Sequence, residues 1–423
     1  MSARDRLGLW RDRSYLLLWS ADTISQAGSQ VTLLALPLAA VLVLHASAFE
    51  VAALAAIEFA PFLLFSLPAG VWIDRVARRP VLVAADVGRA IALVSVPVAA
   101  ALGSLTVAQL FAVAFLTGTL TVFFDVSYQA FLPTLVDRDQ LVEGNAKLEL
   151  SRSAAQVAGP SVAGGLVQAA TAPVAILVDA ASFLVSALLL TGTPRDDPPA
   201  RVPGQDGAAK ELRDGLAFVF RNPYLRSVAA CTALTNLFGN LVFALYVVYA
   251  TRHLGLAPAV LGLVFSVGNI GFTIGALVAN RAVAGLGVGR AIVGSSLLFG
   301  PALVLIPLAP PAHPVPFLVA SGVVGGFALV VYNIAQISFR QSITPDRLQG
   351  RMNSVMRFLV WGAIPVGSLA GGALAATVGI VPALWVGALG GCLACVPVLA
   401  SPVRVLVSVK QPEPRLQLGP QAG

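Results

Sequence analysis

The chain has 423 residues, 57% of them apolar and 11% charged, against roughly 25% charged in a soluble domain; this excludes a soluble enzyme and fits a polytopic helical membrane protein. A spanning helix needs about 20 apolar residues, so twelve take roughly 240 and leave short loops. A net charge of +7 points to nucleic acid in a soluble chain, but in a membrane chain its meaning depends on where the charges fall.

The opening stretch, MSARDRLGLWRDRSY, is too polar for the apolar core of a secretory signal and lacks a small-residue cleavage site, so it reads as an arm before an uncleaved first span. Apolar windows then predict spans at 15–42, 49–73, 81–101, 105–128, 150–167, 173–190, 228–250, 259–279, 291–308, 315–337, 358–378 and 383–400. In lipid every backbone amide must be satisfied internally, and windows of this length suit helices rather than barrel strands. The expected class is an all-α membrane protein with an N-terminal six-helix bundle over 1–192 and a C-terminal one over 226–400. Between them, 193–225 opens on the Pro- and charge-rich TPRDDPPARVPGQDG, a disordered composition. It closes on Leu212, Leu216, Val219 and Phe220 at helical spacing, as in a helix lying on the membrane surface. The Pro-, Gln- and Gly-rich tail, 401–423, reads as disordered.

Sorting the loops by side sends every one of the 27 Lys and Arg residues except Arg252 to the side of the N-terminus. Under the positive-inside rule that side is the cytoplasm, and both termini lie there. The expected location is the cytoplasmic (inner) cell membrane, with the lipid bilayer as the main partner and no nucleic acid.

Three landmarks of the first half return in the second at an offset of about 206 residues. Asp74-Arg75 is matched by Asn280-Arg281, Arg152 and Pro160 by Arg357 and Pro365, and Asp139 and Leu141 by Asp346 and Leu348. Two parallel six-helix repeats place a substrate site near the bilayer midplane between them, and rocking of the halves gives alternating access, which favours a secondary transporter.

The loop after the second span reads Gly70-Val-Trp-Ile-Asp74-Arg75-Val-Ala77-Arg78-Arg79-Pro80, and it resembles the loop signature of the major facilitator superfamily, with Ala77 where a second glycine is usual. A small residue at Gly70 permits close helix approach, and Asp74 can pair with a cation or cap a helix. Contacts of Asp74, Arg75, Arg78 and Arg79 that break as the halves rock would make this a conformational latch. The fifth span contains Gly159-Pro160 and Gly164-Gly165, which resembles the span-five motif of proton-coupled exporters in that superfamily, with Ala163 and Gln156 at positions where glycine is common. A Gly-Pro bend with small neighbours allows tight packing on a partner helix and sealing of one side of the pathway. The runs 55–90 and 130–160 are similar to the branch that holds macrolide and enterobactin exporters. What that resemblance implies is a twelve-helix fold and export of a small amphipathic molecule, drug-, macrolide- or siderophore-like, in exchange for protons. Uptake by proton symport and a non-transporting membrane receptor of the same fold stay open as alternatives.

Ionisable groups within spans are costly and mark function. Asp22, Glu58, Asp86, Asp125 and Asp179 all fall in the first half, and no acidic residue lies between Asp214 and Asp346. Asp22 and Glu58 sit roughly 10–14 Å inside their spans, deep enough to be expected as proton or cationic-substrate sites. Asp86 and Arg89 are three apart and can pair on one helix face. Asp125 is expected to belong to the loop charges of the inner end, and Asp179 to lie nearer the outer surface as a gate or an interface residue. Gln26 and Gln30, Asn236 and Asn240, and Tyr332, Asn333 and Gln336 can supply hydrogen bonds to a ligand or to neighbouring helices. Cys392 and Cys395 have the spacing of a metal or redox pair, but no second ligand pair accompanies them, and there is no phosphate-binding Gly-x4-Gly-Lys-Ser/Thr loop. No cofactor, metal or catalytic residue is expected.

Overall fold

The computed structural model describes residues 8–73, 75–137, 140–194 and 216–406. Among them, twelve long helices follow one another in the expected order. The first half holds α1 (Arg13–Leu42), α2 (Ala48–Ile73), α3 (Arg78–Ala101), α4 (Val107–Leu135), α5 (Leu141–Ala169) and α6 (Ala172–Thr191). The second holds α7 (Pro223–Val248), α8 (Pro258–Leu286), α9 (Val288–Val304), α10 (Pro314–Ile343), α11 (Asp346–Val378) and α12 (Ile380–Leu393). Ten helical stretches are long and apolar enough to cross a membrane, while α9 is shorter and α5 is more polar.

Starts and stops have local causes. Asp12, Thr106, Thr171 and Asn222 accept backbone N–H groups at the N-termini of α1, α4, α6 and α7. Ser47 and Glu50 form a reciprocal capping box at α2. Gly287 and Gly379 end α8 and α11 with φ of 85° and 93°, a left-handed conformation that side chains other than glycine rarely adopt.

Each half repeats one packing pattern. In the first, α1 packs on α5 and α6, α3 on α4 and α6, and α2 on α4; in the second, α7 packs on α11 and α12, α9 on α10 and α12, and α8 on α10. The halves meet along two crossed pairs, α2 with α11 and α5 with α8. The sequence repeat is thus a structural repeat.

Two ends of the molecule are distinguished by charge. The basic end carries the α2–α3, α4–α5, α6–α7, α8–α9 and α10–α11 connections; the opposite end is nearly free of cations. At that neutral end one apolar core joins the halves, with Leu38, Val51 and Leu54 in the same cluster as Leu245, Val248 and Leu384. Towards the basic end the core divides, into a first-half cluster around Tyr15, Leu82 and Phe131 and second-half clusters around Ile292, Phe339 and Met352. The halves are therefore closed at the neutral end and parted at the basic end.

The boundaries differ from expectation at the C-terminal end. Residues 401–406 are not a free tail: Val403 is buried with Val288 and Ile292, and the Gly289 N–H donates to the Leu406 carbonyl at 3.1 Å. In the linker the expected helix is seen over 216–221, with Val219 buried against Leu225 and Met352. Leu212, most of the expected linker and residues 407–423 lie outside the described residues.

Candidate functional site

A two-lobed cavity lies between the halves. The larger lobe, about 410 Å³, is walled almost wholly by α1–α6, and among its lining residues Trp361 of α11 is the one from the second half. The smaller lobe, about 270 Å³, is apolar and shared between halves, with Leu34, Val51 and Leu54 opposite Phe243, Val247 and Phe265. Gln30, Leu33, Glu58 and Phe59 line both, so the Glu58 carboxyl stands where the lobes meet. Close helix approach sets that level: a Cβ on Gly118 of α4 would overlap the Glu58 carbonyl of α2.

The larger lobe is charged. Glu58, Asp125 and Asp179 line it together with Arg89 and Arg152. Arg89 is ion-paired with the fully buried Asp86, and its guanidinium is held between the rings of Phe124 and Phe183, 4.4 and 4.0 Å from their centroids. Cation–π contact on two faces fixes this arginine in an otherwise costly place. Asp22, 3% exposed, contacts Gln26 and feels the fields of Arg152 and Asp125. In and around this lobe five carboxylates thus share two guanidiniums.

Aromatic rings close the lobe from the other side. Trp361 stacks on Phe62 with centroids 4.5 Å apart and planes 7° from parallel, and Phe59 lies 6.2 Å away. This stack crosses from α2 to α11.

The neutral-end seam is built from the span-five motif. Pro160 has no N–H for the Gln156 carbonyl, and Asn269 of α8 donates its side-chain amide to that orphan acceptor. Ser161 N–H donates to Ser266 Oγ at 2.9 Å, and Ala259 N–H to Gln168 Oε1 at 3.1 Å. Gly164 faces Gly262 across the pair, where a Cβ would lie 3.0 Å from the opposing Cα; Gly159 abuts Gln30 of α1, and Gly165 has open space.

The expected site residues divide accordingly. Gln26, Glu58 and Asn240 reach the cavity, whereas Asp22 stands behind Gln26 and is absent from the lining. Tyr332 is buried in the second half with its hydroxyl 2.9 Å from Thr232 Oγ1, and Asn236 donates to the Thr232 carbonyl. Gln336 is buried, and neither it nor Asn333 lines the cavity. Asp125 is a cavity residue, against the expectation of a loop network, and Asp179, in the neutral-end half of α6 as expected, also lines the cavity: each helix turns its acid inward, which sequence depth does not reveal. In the loop signature, Asp74 lies outside the described residues, Arg75 is exposed and Arg78 buried. Arg79 donates to the Leu190 and Thr191 carbonyls at the end of α6, a contact within the first half. Nothing lies within 4 Å of a Cβ on Gly70, consistent with the parted basic end.

Paired six-helix repeats around a cavity closed at one end define a membrane transporter of the major facilitator type, not an enzyme. The chain belongs to the transmembrane secretion effector family, whose family model matches residues 7–419. It is 28% identical over 380 residues to the multidrug efflux pump Tap of Mycolicibacterium fortuitum, covering 86% of this chain and 90% of that one. It is 25% identical to the uncharacterized MFS-type transporter YfiS of Bacillus subtilis, covering 88% and 89%. Among solved structures, a point mutant of the nucleoside transporter NupG matches with TM-score 0.75 at 14% identity, over 91% of this chain and 99% of that one. A bacterial homologue of the iron transporter ferroportin matches with TM-score 0.70 in its inward-facing state (19% identity, 93% and 99% coverage). In its outward-facing state the score is 0.58 (20% identity, 91% and 98% coverage).

Proposed function

We propose that this transporter exports a small amphipathic molecule from the cytoplasm by proton antiport, through rocking of its halves. It sits in the cell membrane with both termini cytoplasmic, the orientation that the distribution of Lys and Arg favours. The observation that carries the reading is Glu58, the carboxyl shared by a charged lobe and an apolar lobe in a cavity closed at the neutral end. A basic amphipathic molecule places its apolar body among Phe59, Phe62, Phe243 and Trp361 and its cation at Glu58, where it competes with a proton. The excess of carboxylates over guanidiniums favours a basic substrate over an anionic one. In that orientation this state is open to the cytoplasm, in keeping with the higher score against the inward-facing neighbour. Asp22, Gln26, Asn236, Asn240, Tyr332 and Asn333 remain proposed as proton-coupling or substrate groups. Gly70, Asp74, Arg75, Arg78 and Arg79 are proposed to latch the basic end when it closes, and Gly159, Pro160, Gly164 and Gly165 to seal the neutral end. The relatives named as efflux pumps support the outward direction.

Uptake of an externally added fluorescent organic cation into inverted membrane vesicles, whose cytoplasmic face is outside, tests this. Glu58→Gln and Asp22→Asn are expected to abolish pH-driven transport while leaving expression and folding intact; normal proton-driven transport in both variants removes these residues from the mechanism.

A further inference from the structure

Asp179 of α6 is a buried titratable group outside the roles assigned above. Its carboxyl occupies a notch in α1: a Cβ on Gly28 would fall 2.6 Å from Asp179 Oδ1 and overlap Ser182 Oγ. Only glycine lets α1 and α6 close around the acid. The residue is 1% exposed, yet it lines the larger lobe together with Thr32, Arg89 and Phe183. It is therefore sealed on the protein side and faces the cavity.

Its neighbours accept either protonation state. From α3, Arg89 and Asp86 face it, but Arg89 is already ion-paired with Asp86. From α1 come Gly28 and Thr32, neither of which ionises, and the buried Thr32 hydroxyl stands beside the Asp179 carboxyl. From α5, Arg152 lines the same lobe, and its field acts on Asp22 and Asp125. On α6 itself, Ser182 Oγ lies 2.7 Å from the Asp179 carbonyl and 3.1 Å from Oδ1. A carboxylate accepts from Ser182 and Thr32 but has no cation of its own; a carboxylic acid donates to Thr32 and needs none. A fixed ion pair such as Asp86–Arg89 has no such freedom.

We propose that Asp179 is a proton-exchanging carboxylate of the transport cycle, held at the cavity wall by the glycine notch at Gly28. The proposal rests on the antiport reading above. In the state open at the basic end, the Asp179 O–H bond breaks, its electron pair stays on the carboxylate, and the proton leaves to cavity water as the cationic substrate arrives. After the halves reorient, the carboxylate takes up one proton from the other side as the cation departs, so one proton is carried per turn at this site. Gly28 acts as a positioning residue.

Infrared difference spectra of the full chain in lipid, recorded between pH 5 and pH 8 without substrate, test this directly. The wild type is expected to show a carboxylic C=O band that titrates, and Asp179→Asn to lose a component of it. Gly28→Ala and Ser182→Ala keep the acid and are expected to keep the band with a displaced midpoint; they serve if Asp179→Asn fails to fold. A titrating band that is unchanged in all three variants overturns the proposal. If only the antiport reading is wrong, the Asp179-sensitive band persists in a wild-type protein that a pH gradient does not drive, so the two failures are distinguishable.

Discussion

The guanidinium of Arg252 donates to the carbonyl of Val41, 3.1 Å away, and ties the end of α7 to the last turn of α1. The last carbonyls of a helix have no intrahelical donor and carry the negative end of its dipole. Arg252 reaches this one from a wide π-turn, Tyr249–His253, that closes α7. The single exception to the basic-side distribution is thus a clasp between the halves at the closed end. Arg252→Ala is expected to remove a partly buried hydrogen bond of about 1 kcal/mol. That shifts the conformational equilibrium several-fold towards opening at the neutral end. Labelling of a cysteine introduced in the cavity, from the neutral side, reads the shift; an unchanged rate argues against the clasp.

The Phe62–Trp361 stack is the second-half contribution to the charged lobe. A parallel aromatic pair is worth about 0.5–1.5 kcal/mol beyond its area. Trp361→Ala should weaken binding of a planar aromatic cation by roughly tenfold or less. An aliphatic amine of similar size should be affected less, as measured by KM in reconstituted vesicles.

Two adjacent motif glycines make opposite predictions. Gly164 meets Pro258 and Gly262 backbone, which cannot yield, whereas nothing lies within 4 Å of a Cβ on Gly165. Gly164→Ala is expected to cost about 1–3 kcal/mol through overpacking of the seam, and Gly165→Ala to stay within about 0.5 kcal/mol. Thermal unfolding in detergent compares them.

The first turns of α5 project beyond the span. There Lys147 pairs with Glu143 at 2.6 Å and lies 4.2 Å over the Trp10 ring, docking the N-terminal segment. The hydrogen bond from Lys147 holds the Glu143 carboxyl below its ordinary value. Its contribution is therefore full above about pH 4.3 and is lost as pH falls through the lower folded value. Because Glu143 is exposed, Glu143→Gln should cost less than about 0.5 kcal/mol at pH 7 and less still at pH 3. Lys147→Ala also forfeits the ring contact and should cost about 1 kcal/mol at pH 7. Melting temperatures at the two pH values check the difference.

Helix number, order and repeat were legible because apolar windows report burial in lipid directly. Helix ends were not: α5 begins at Leu141 and α11 at Asp346, well before their apolar windows, since helices run on past the hydrocarbon, where charges such as Glu143 and Lys147 of α5 no longer cost anything. Glu58 was legible as an acid deep in its span. Asp179 was not, because depth along a helix says nothing about which neighbour it faces, and the glycine that admits it lies about 150 residues away in α1. Tyr332 and Asn236 carried two readings in the sequence, ligand contact or helix contact, and in this state their polar atoms bond to the helices of the second half.

The most direct test of the account is proton movement driven by substrate alone. Vesicles of purified protein, with no preset pH gradient, receive a step in organic-cation concentration on the basic-end side while a trapped dye reports internal pH. The account predicts proton flow opposite to the substrate in the wild type and none in Glu58→Gln. Cation transport without any accompanying proton flow in the wild type would contradict it.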